Sequence, residues 1–162
     1  MSKLYIAYGS NLHIEQMARR CPTASVYARG VLKDYRLVYR GSKTGSYASV
    51  EPCEGSSVPI VVWEIQPEDE ERLDRYEGYP TFYYKNTVEV KTGRGILEGM
   101  IYIISPKALP GRPSQYYIDV VRTGYIENGF DLDVFNRSLR YNAEECRTLY
   151  GQYTTRYRSS RF

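Results

Sequence analysis

Through the first two thirds of the chain, apolar residues alternate with polar ones or gather in short runs; after that the period lengthens to that of helices. Leu4 to Tyr8 reads as a strand. Further strands are predicted at about 25–31, 35–40, 47–52, 58–66, 82–91 and 96–104, separated by Gly, Pro and Ser clusters. Ile60-Val61-Val62-Trp63 is nearly continuous apolar and predicts a central strand. Gly9-Ser10-Asn11 follows the first strand directly. A helix is predicted from near Leu12 to about Arg20, with Ser10 or Asn11 as its cap and Pro22 beyond its end. Ser114 caps a second pattern in which Tyr117, Val121 and Tyr125 share a face and Gly129 closes the helix; a shorter helix is expected from about Asp131 to Tyr141. Strands first, with helices at the ends, predict an α+β fold whose sheet curls or closes. We read residues 1–145 as one domain and 146–162 as a basic C-terminal tail, solvated and disordered, because Arg156, Arg158 and Arg161 crowd a segment with no acid after Glu145.

A helix is also predicted over the stretch that leads to Gly78. Pro67 sits at a favourable entry position, and Glu68, Asp69, Glu70 and Glu71 load the first turn with negative charge. Gly78 can take the left-handed stop, and Pro80 forbids continuation. Leu73 is the only aliphatic side chain of the segment and should face the core, and Glu77 lies four residues on, along the same face. That spacing carries a carboxylate inward at a helix C-terminus, among Tyr76, Tyr79, Phe82, Tyr83 and Tyr84. The helix dipole and desolvation both disfavour its charge, so its pKa should rise, which prepares a general acid/base. The alternative is an ordinary solvated glutamate at a helix end.

Composition narrows the chemistry. A chain of 162 residues is large enough to bury a core without disulfides or metal. The 18 tyrosines supply apolar area with polar tips, suited to lining a cleft. A net charge of +3 is too slight to argue for nucleic acid. Cys21, Cys53 and Cys146 show neither metal spacing nor a disulfide framework and fit a reducing cytosol. Neither a secretory signal nor an apolar run of membrane-spanning length is visible, so we expect a cytoplasmic protein without membrane contact. His13 is the only histidine and lies in the first turn of a helix, where capping or surface exposure is expected of it; no G-x-S-x-G elbow exists. Gly41-Ser42-Lys43-Thr44-Gly45 lacks the adjacent Gly-Lys of a phosphate loop and reads as a hairpin connection. The strand–turn–helix at Tyr8–Asn11 instead points backbone amides at one spot, which favours a small anion. Any enzyme here works with carboxylate, tyrosines and backbone amides, without a cofactor or metal.

Tyr5-Ile6-Ala7-Tyr8-Gly9-Ser10-Asn11-Leu12 and Leu73-Asp74-Arg75-Tyr76-Glu77-Gly78, together with Arg112-Pro113-Ser114-Gln115-Tyr116 and Gly124-Tyr125-Ile126-Glu127-Asn128-Gly129, resemble the gamma-glutamyl cyclotransferase family. Ala48-Ser49-Val50 and Val61-Val62-Trp63 match in order and spacing, and the similarity covers roughly residues 3–140. The resemblance implies a small mixed β-barrel flanked by helices, with one cavity where these motifs meet. It implies an amide cleavage with ring closure, in which the amine of a γ-glutamyl amino acid, amine or larger metabolite is released and the glutamyl part becomes 5-oxoproline. By position, Tyr5, Ile6, Ala7, Tyr8, Gly9 and Ser10, with Asn11 beside them, make the substrate-binding loop. Glu77 is the acid/base, and Tyr116 hydrogen-bonds the glutamyl group. A tyrosine after the catalytic carboxylate is implied too: Tyr84 is assigned, with Tyr83 competing for the place. The contrasting reading is a binding or interaction domain that keeps the cavity without turnover, and the retained Glu77 argues against it. Tyrosine-rich surface suits a homodimer.

Overall fold

The computed structural model describes residues 1–41 and 45–159, with side chains described through Gly151. Six strands, β1 (Lys3–Ala7), β2 (Ser25–Gly41), β3 (Tyr47–Ile65), β4 (Tyr83–Thr92), β5 (Gly95–Ile104) and β6 (Leu109–Pro110), form one sheet. Its order is β3-β1-β5-β4-β2-β6, and β2 also pairs with β3, so five strands close into a barrel with β6 added at the edge of β2. Only β1 and β5 run parallel, with Tyr5 opposite Met100; the other ladders are antiparallel. The fold is the α+β barrel with flanking helices that the sequence predicts.

Strand alternation divides the apolar residues into two cores. Ile6, Leu32, Tyr39, Val50, Ile60, Val62, Val88 and Ile101 belong to a cluster drawn from all five barrel strands, which fills the interior. Tyr5, Ala7, Val61, Trp63, Met100 and Tyr102, of opposite parity, pack outward against Leu12, Met17, Leu73, Val121, Tyr125 and Phe135. Val62 sits opposite both Ile6 and Ala28, so Ile60–Trp63 is indeed a central strand.

Two pairs of expected strands are single long ones. The segments 25–31 and 35–40 fuse into β2, and 47–52 and 58–66 into β3. Asp34, in the gap between the first two of these, takes a left-handed conformation at φ 63°, and its carboxylate accepts from the Gly55 amide at 3.0 Å. The ladder shifts register between Lys33 and Tyr35 and then continues, so the hairpin bends without ending. Arg40 pairs with Tyr47, which fits the hairpin connection expected at 41–45, although residues 42–44 lie outside the described ones.

Helices α1 (Ile14–Arg20), α2 (Pro67–Glu77), α3 (Gln115–Glu127) and α4 (Leu132–Ser159) cover the outward face. The helix expected to end near Tyr141 runs on to Ser159, so the segment from 146 does not begin as a disordered tail. Cys146 is buried, and the Tyr150 hydroxyl donates to the Pro110 carbonyl at 2.8 Å. The arginines at 156, 158 and 161 lie outside the described side chains. α3 packs closely on the turn after β1: a Cβ at Gly124 would stand 2.7 Å from the Leu12 Cβ. No helix among the described residues is long and apolar enough to cross a membrane.

Candidate active site

The turn after β1 is a 3₁₀ turn, Ser10–Leu12, rather than the first turn of an α-helix. Leu12 and His13 donate to the carbonyls of Gly9 and Ser10, and α1 begins only at Ile14. Neither Ser10 nor Asn11 caps it, because both side chains are held by Arg20. The cap is His13, whose Nδ1 accepts from the Gln16 amide at 3.1 Å, so the one histidine is structural. Trp63 fixes the turn from the barrel side by donating its indole N–H to the Asn11 carbonyl at 3.0 Å. The amides of Gly9, Ser10 and Asn11 donate to no other group among the described residues, and these three residues line a cavity.

α2 delivers the carboxylate. Gln66 and Asp69 form a capping box at its start, with Pro67 in the first helical position. At its end Gly78 takes φ 63°, and the Tyr79 amide returns to the Asp74 carbonyl, the pattern of a left-handed helix stop. Leu73 is fully buried and anchors the inward face, which directs Glu77 into the cavity one turn later. The cavity measures about 380 Å³; Tyr5, Tyr8, Tyr83, Tyr102 and Tyr117 are among its walls. Glu77 makes no hydrogen bond or ion pair with another described residue. The residue is half-buried and keeps some exposure through the cavity mouth. Burial pushes its pKa up to about 7, against the partial pull of Arg20.

The tyrosines are neutral donors and acceptors. Burial, with Glu77 adding to it, raises the pKa of Tyr5, Tyr8, Tyr83 and Tyr117. Tyr8 donates to the Tyr102 carbonyl at 2.6 Å, and Tyr83 donates to the Ala48 carbonyl at 2.8 Å. Tyr102 donates to Asp74. Tyr117 instead accepts, from the Ala48 amide at 3.0 Å, and Tyr5 accepts from the Asn11 side-chain amide at 2.9 Å. Two hydroxyl protons, those of Tyr5 and Tyr117, are therefore uncommitted beside the lone carboxylate.

The family described as gamma-glutamyl cyclotransferase, AIG2-like, matches residues 5–119 by its sequence model. Gamma-glutamylcyclotransferase from Bos taurus is 32% identical over 142 residues, covering 82% of this chain and 74% of that protein. The Homo sapiens gamma-glutamylcyclotransferase is 32% identical over 143 residues with the same coverage. A solved gamma-glutamyl cyclotransferase superposes with a TM-score of 0.72 at 28% identity, over 90% of this chain and 86% of the other. The chain belongs to the gamma-glutamyl cyclotransferase family.

Within this family member the cavity gathers Tyr5, Tyr8, Gly9, Ser10, Asn11 and Glu77. Ile6 and Ala7 do not reach it: Ile6 points into the barrel, and Ala7 is buried in the outer core. Tyr84 is a correction. β4 alternates, so Tyr83 turns into the cavity while Tyr84, 38% exposed, faces a shallow depression elsewhere, beside Arg40 and Glu51. Tyr116 stands at the cavity mouth, 77% exposed, whereas its neighbour Tyr117 is the one whose hydroxyl reaches Ala48. Helical geometry decides this: Tyr117 shares the inward stripe of Val121 and Tyr125, a stripe already visible in the sequence. Arg20 escaped the sequence reading altogether. It lines the cavity and stacks over Tyr76 at 4.1 Å. The only signal for it was its place at the end of the first helix.

Proposed function

We propose that this protein is a gamma-glutamylcyclotransferase that closes the glutamyl part of γ-glutamyl amino acids or amines into 5-oxoproline, with Glu77 as general acid/base. One observation carries the reading: a single carboxyl, poised near neutrality, in a cavity whose walls also present tyrosines, the Arg20 guanidinium and the backbone of Gly9–Asn11. The substrate already contains its nucleophile, the α-amine, and its electrophile, the γ-carbonyl. Holding them in a reactive geometry supplies effective molarities of up to ~10⁵–10⁸ M. Ionised Glu77 takes a proton from the α-ammonium, and the freed amine attacks the γ-carbonyl carbon. The tetrahedral oxyanion then collapses, the bond to the departing nitrogen breaks, and the carboxyl returns a proton to that nitrogen. The ring nitrogen loses two protons in all and the released ammonium gains two, so one carboxyl cycling between its two forms closes the balance.

The free amides at Gly9–Asn11 offer donors for the substrate's α-carboxylate, with the Arg20 guanidinium beside them. Tyr117 lines the cavity with a spare hydroxyl proton, which supports a hydrogen bond from it to the glutamyl group. The test is incubation with a panel of γ-glutamyl amino acids and amines, following 5-oxoproline by mass. We expect 5-oxoproline and the free amine in equal amounts. Tight binding without any 5-oxoproline would contradict the reading and favour a non-catalytic binding domain.

A further inference from the structure

Arg20, Asn11 and Tyr5 form a chain of hydrogen bonds that ends in the cavity. The Arg20 Nη1 donates to the Asn11 Oδ1 at 2.8 Å, and also to the Ser10 Oγ at 3.3 Å. The Asn11 Nδ2 donates to the Tyr5 hydroxyl at 2.9 Å. The direction of this chain is forced by chemistry. A guanidinium has no acceptor, so the oxygen of the Asn11 amide must face Arg20 and its NH₂ must face Tyr5. An NH₂ group cannot accept, so the Tyr5 proton cannot turn back towards Asn11. The remaining direction is the cavity, which Tyr5 and Glu77 line together.

Each member is held firmly. Asn11 is buried, and its backbone carbonyl is fixed by Trp63. Tyr5 is buried, with its ring edge-on to Tyr102 at 5.8 Å. Arg20 is pinned by its stack on Tyr76, and among the described residues no carboxylate pairs with it. A buried asparagine used only to fill space would not need so definite an orientation.

Resting on the cyclotransferase reading above, we propose that Tyr5 is a catalytic hydrogen-bond donor to the oxyanion that develops on the γ-carbonyl oxygen, and that Asn11 and Arg20 are positioning residues that lock its proton towards that oxygen. No proton is transferred from Tyr5; it stays a neutral phenol throughout. Such donors, fixed in advance of the reaction, act on the transition state and scarcely on substrate binding.

The test is steady-state kinetics on a γ-glutamyl substrate that the wild type converts, with Tyr5→Phe, Asn11→Asp and the double variant. Tyr5→Phe deletes only the hydroxyl. Asn11→Asp keeps an acceptor for Arg20 but offers a second acceptor where the NH₂ was, so the Tyr5 proton turns away from the cavity. On the alkaline plateau we expect each single variant to lose about 10²-fold in kcat, the lower range for a lost oxyanion donor. KM of Tyr5→Phe should stay within about threefold, and the double variant should be no slower in kcat than the slower single. The acid limb of the Tyr5→Phe pH profile should stay where the wild type has it. An unchanged kcat in Tyr5→Phe, or losses that multiply in the double variant, would overturn the proposal. So would an acid limb displaced with the plateau intact, since the proton would then be serving Glu77. If Asn11→Asp does not fold, Arg20→Gln replaces it: a glutamine can also accept, so the Asn11 amide is free to reverse. Its loss in kcat should vanish in the Tyr5→Phe background, and a loss that persists there refutes the orienting role. A wild type that makes no 5-oxoproline overturns both readings; a wild type stopped by Glu77→Gln but indifferent to Tyr5→Phe overturns this one alone.

Discussion

Glu77 is the residue at which packing and chemistry conflict. Its pKa lies at about 7 in the fold against an ordinary 4.5, so the folded protein favours the protonated form. The sign follows directly: this stabilisation is fully present below about pH 4.5 and is lost as pH rises through about 7. Glutamine is not subject to that loss. Glu77→Gln should therefore melt at the wild-type temperature near pH 4.5 and above it at pH 8–9, by up to about 3 kcal/mol in stability. Thermal melts across that range check it, and identical curves at every pH would show a carboxylate at ease in water. The neighbouring tyrosines make a second comparison. Tyr117 accepts from the Ala48 amide within the cavity wall, while Tyr116 stands in solvent at the mouth. Tyr117→Phe should lose at least about tenfold more kcat/KM than Tyr116→Phe, which corresponds to about 1.4 kcal/mol. Both tyrosines are plain in the sequence; choosing between them required the helical stripe to outweigh a motif match.

Among the elements, both ends of α2 are legible in the sequence. Acids and Pro67 mark its start, and Gly78 with Pro80 marks its stop. What the sequence conceals is how elements continue past residues that usually break them. Asp34 and Gly55 fall in the gaps between expected strands, yet their hydrogen bond keeps β2 and β3 paired through a bend. The turn at Gly9–Asn11 was visible as a turn, but its side chains serve Arg20 and Tyr5 instead of capping, a tertiary preference with no local signature. α4 shows the same limitation. Glu145, at the edge of the expected tail, meets the buried Arg40 through both carboxylate oxygens, at 2.9 and 3.1 Å, and so ties the helix to the barrel. Glu51 still reaches Arg40 at 3.2 Å, so the cation keeps one partner when the other is removed. Glu145→Ala should lower stability by about 2 kcal/mol, as expected for a lost charge-assisted contact, and urea unfolding measures it. An unchanged midpoint would mean that α4 is not docked through this pair.

At the scale of the whole molecule, a barrel closed by the long β2–β3 hairpin presents the end of β1 and the outward face of β4 and β5 to three helix termini. Tyr5, Glu77 and Tyr117, distant in sequence, meet there because the β2–β3 hairpin and then the β4–β5 hairpin carry the chain around the barrel between them. Fold class and the inward-facing carboxylate of Glu77 are legible in periodicity, helix punctuation and family resemblance. Arg20 could not, since an arginine at a helix end is by default solvated. The central claim is that Glu77 moves the protons of the cyclisation, and the most direct test is the rate of 5-oxoproline formation by Glu77→Gln at saturating substrate. The amide keeps the volume and can hold a ligand, but it cannot take the ammonium proton and return it. The account predicts unchanged ligand binding with turnover reduced by at least about 10²-fold, the lower range for general acid/base catalysis. A variant that forms 5-oxoproline as fast as the wild type would contradict it.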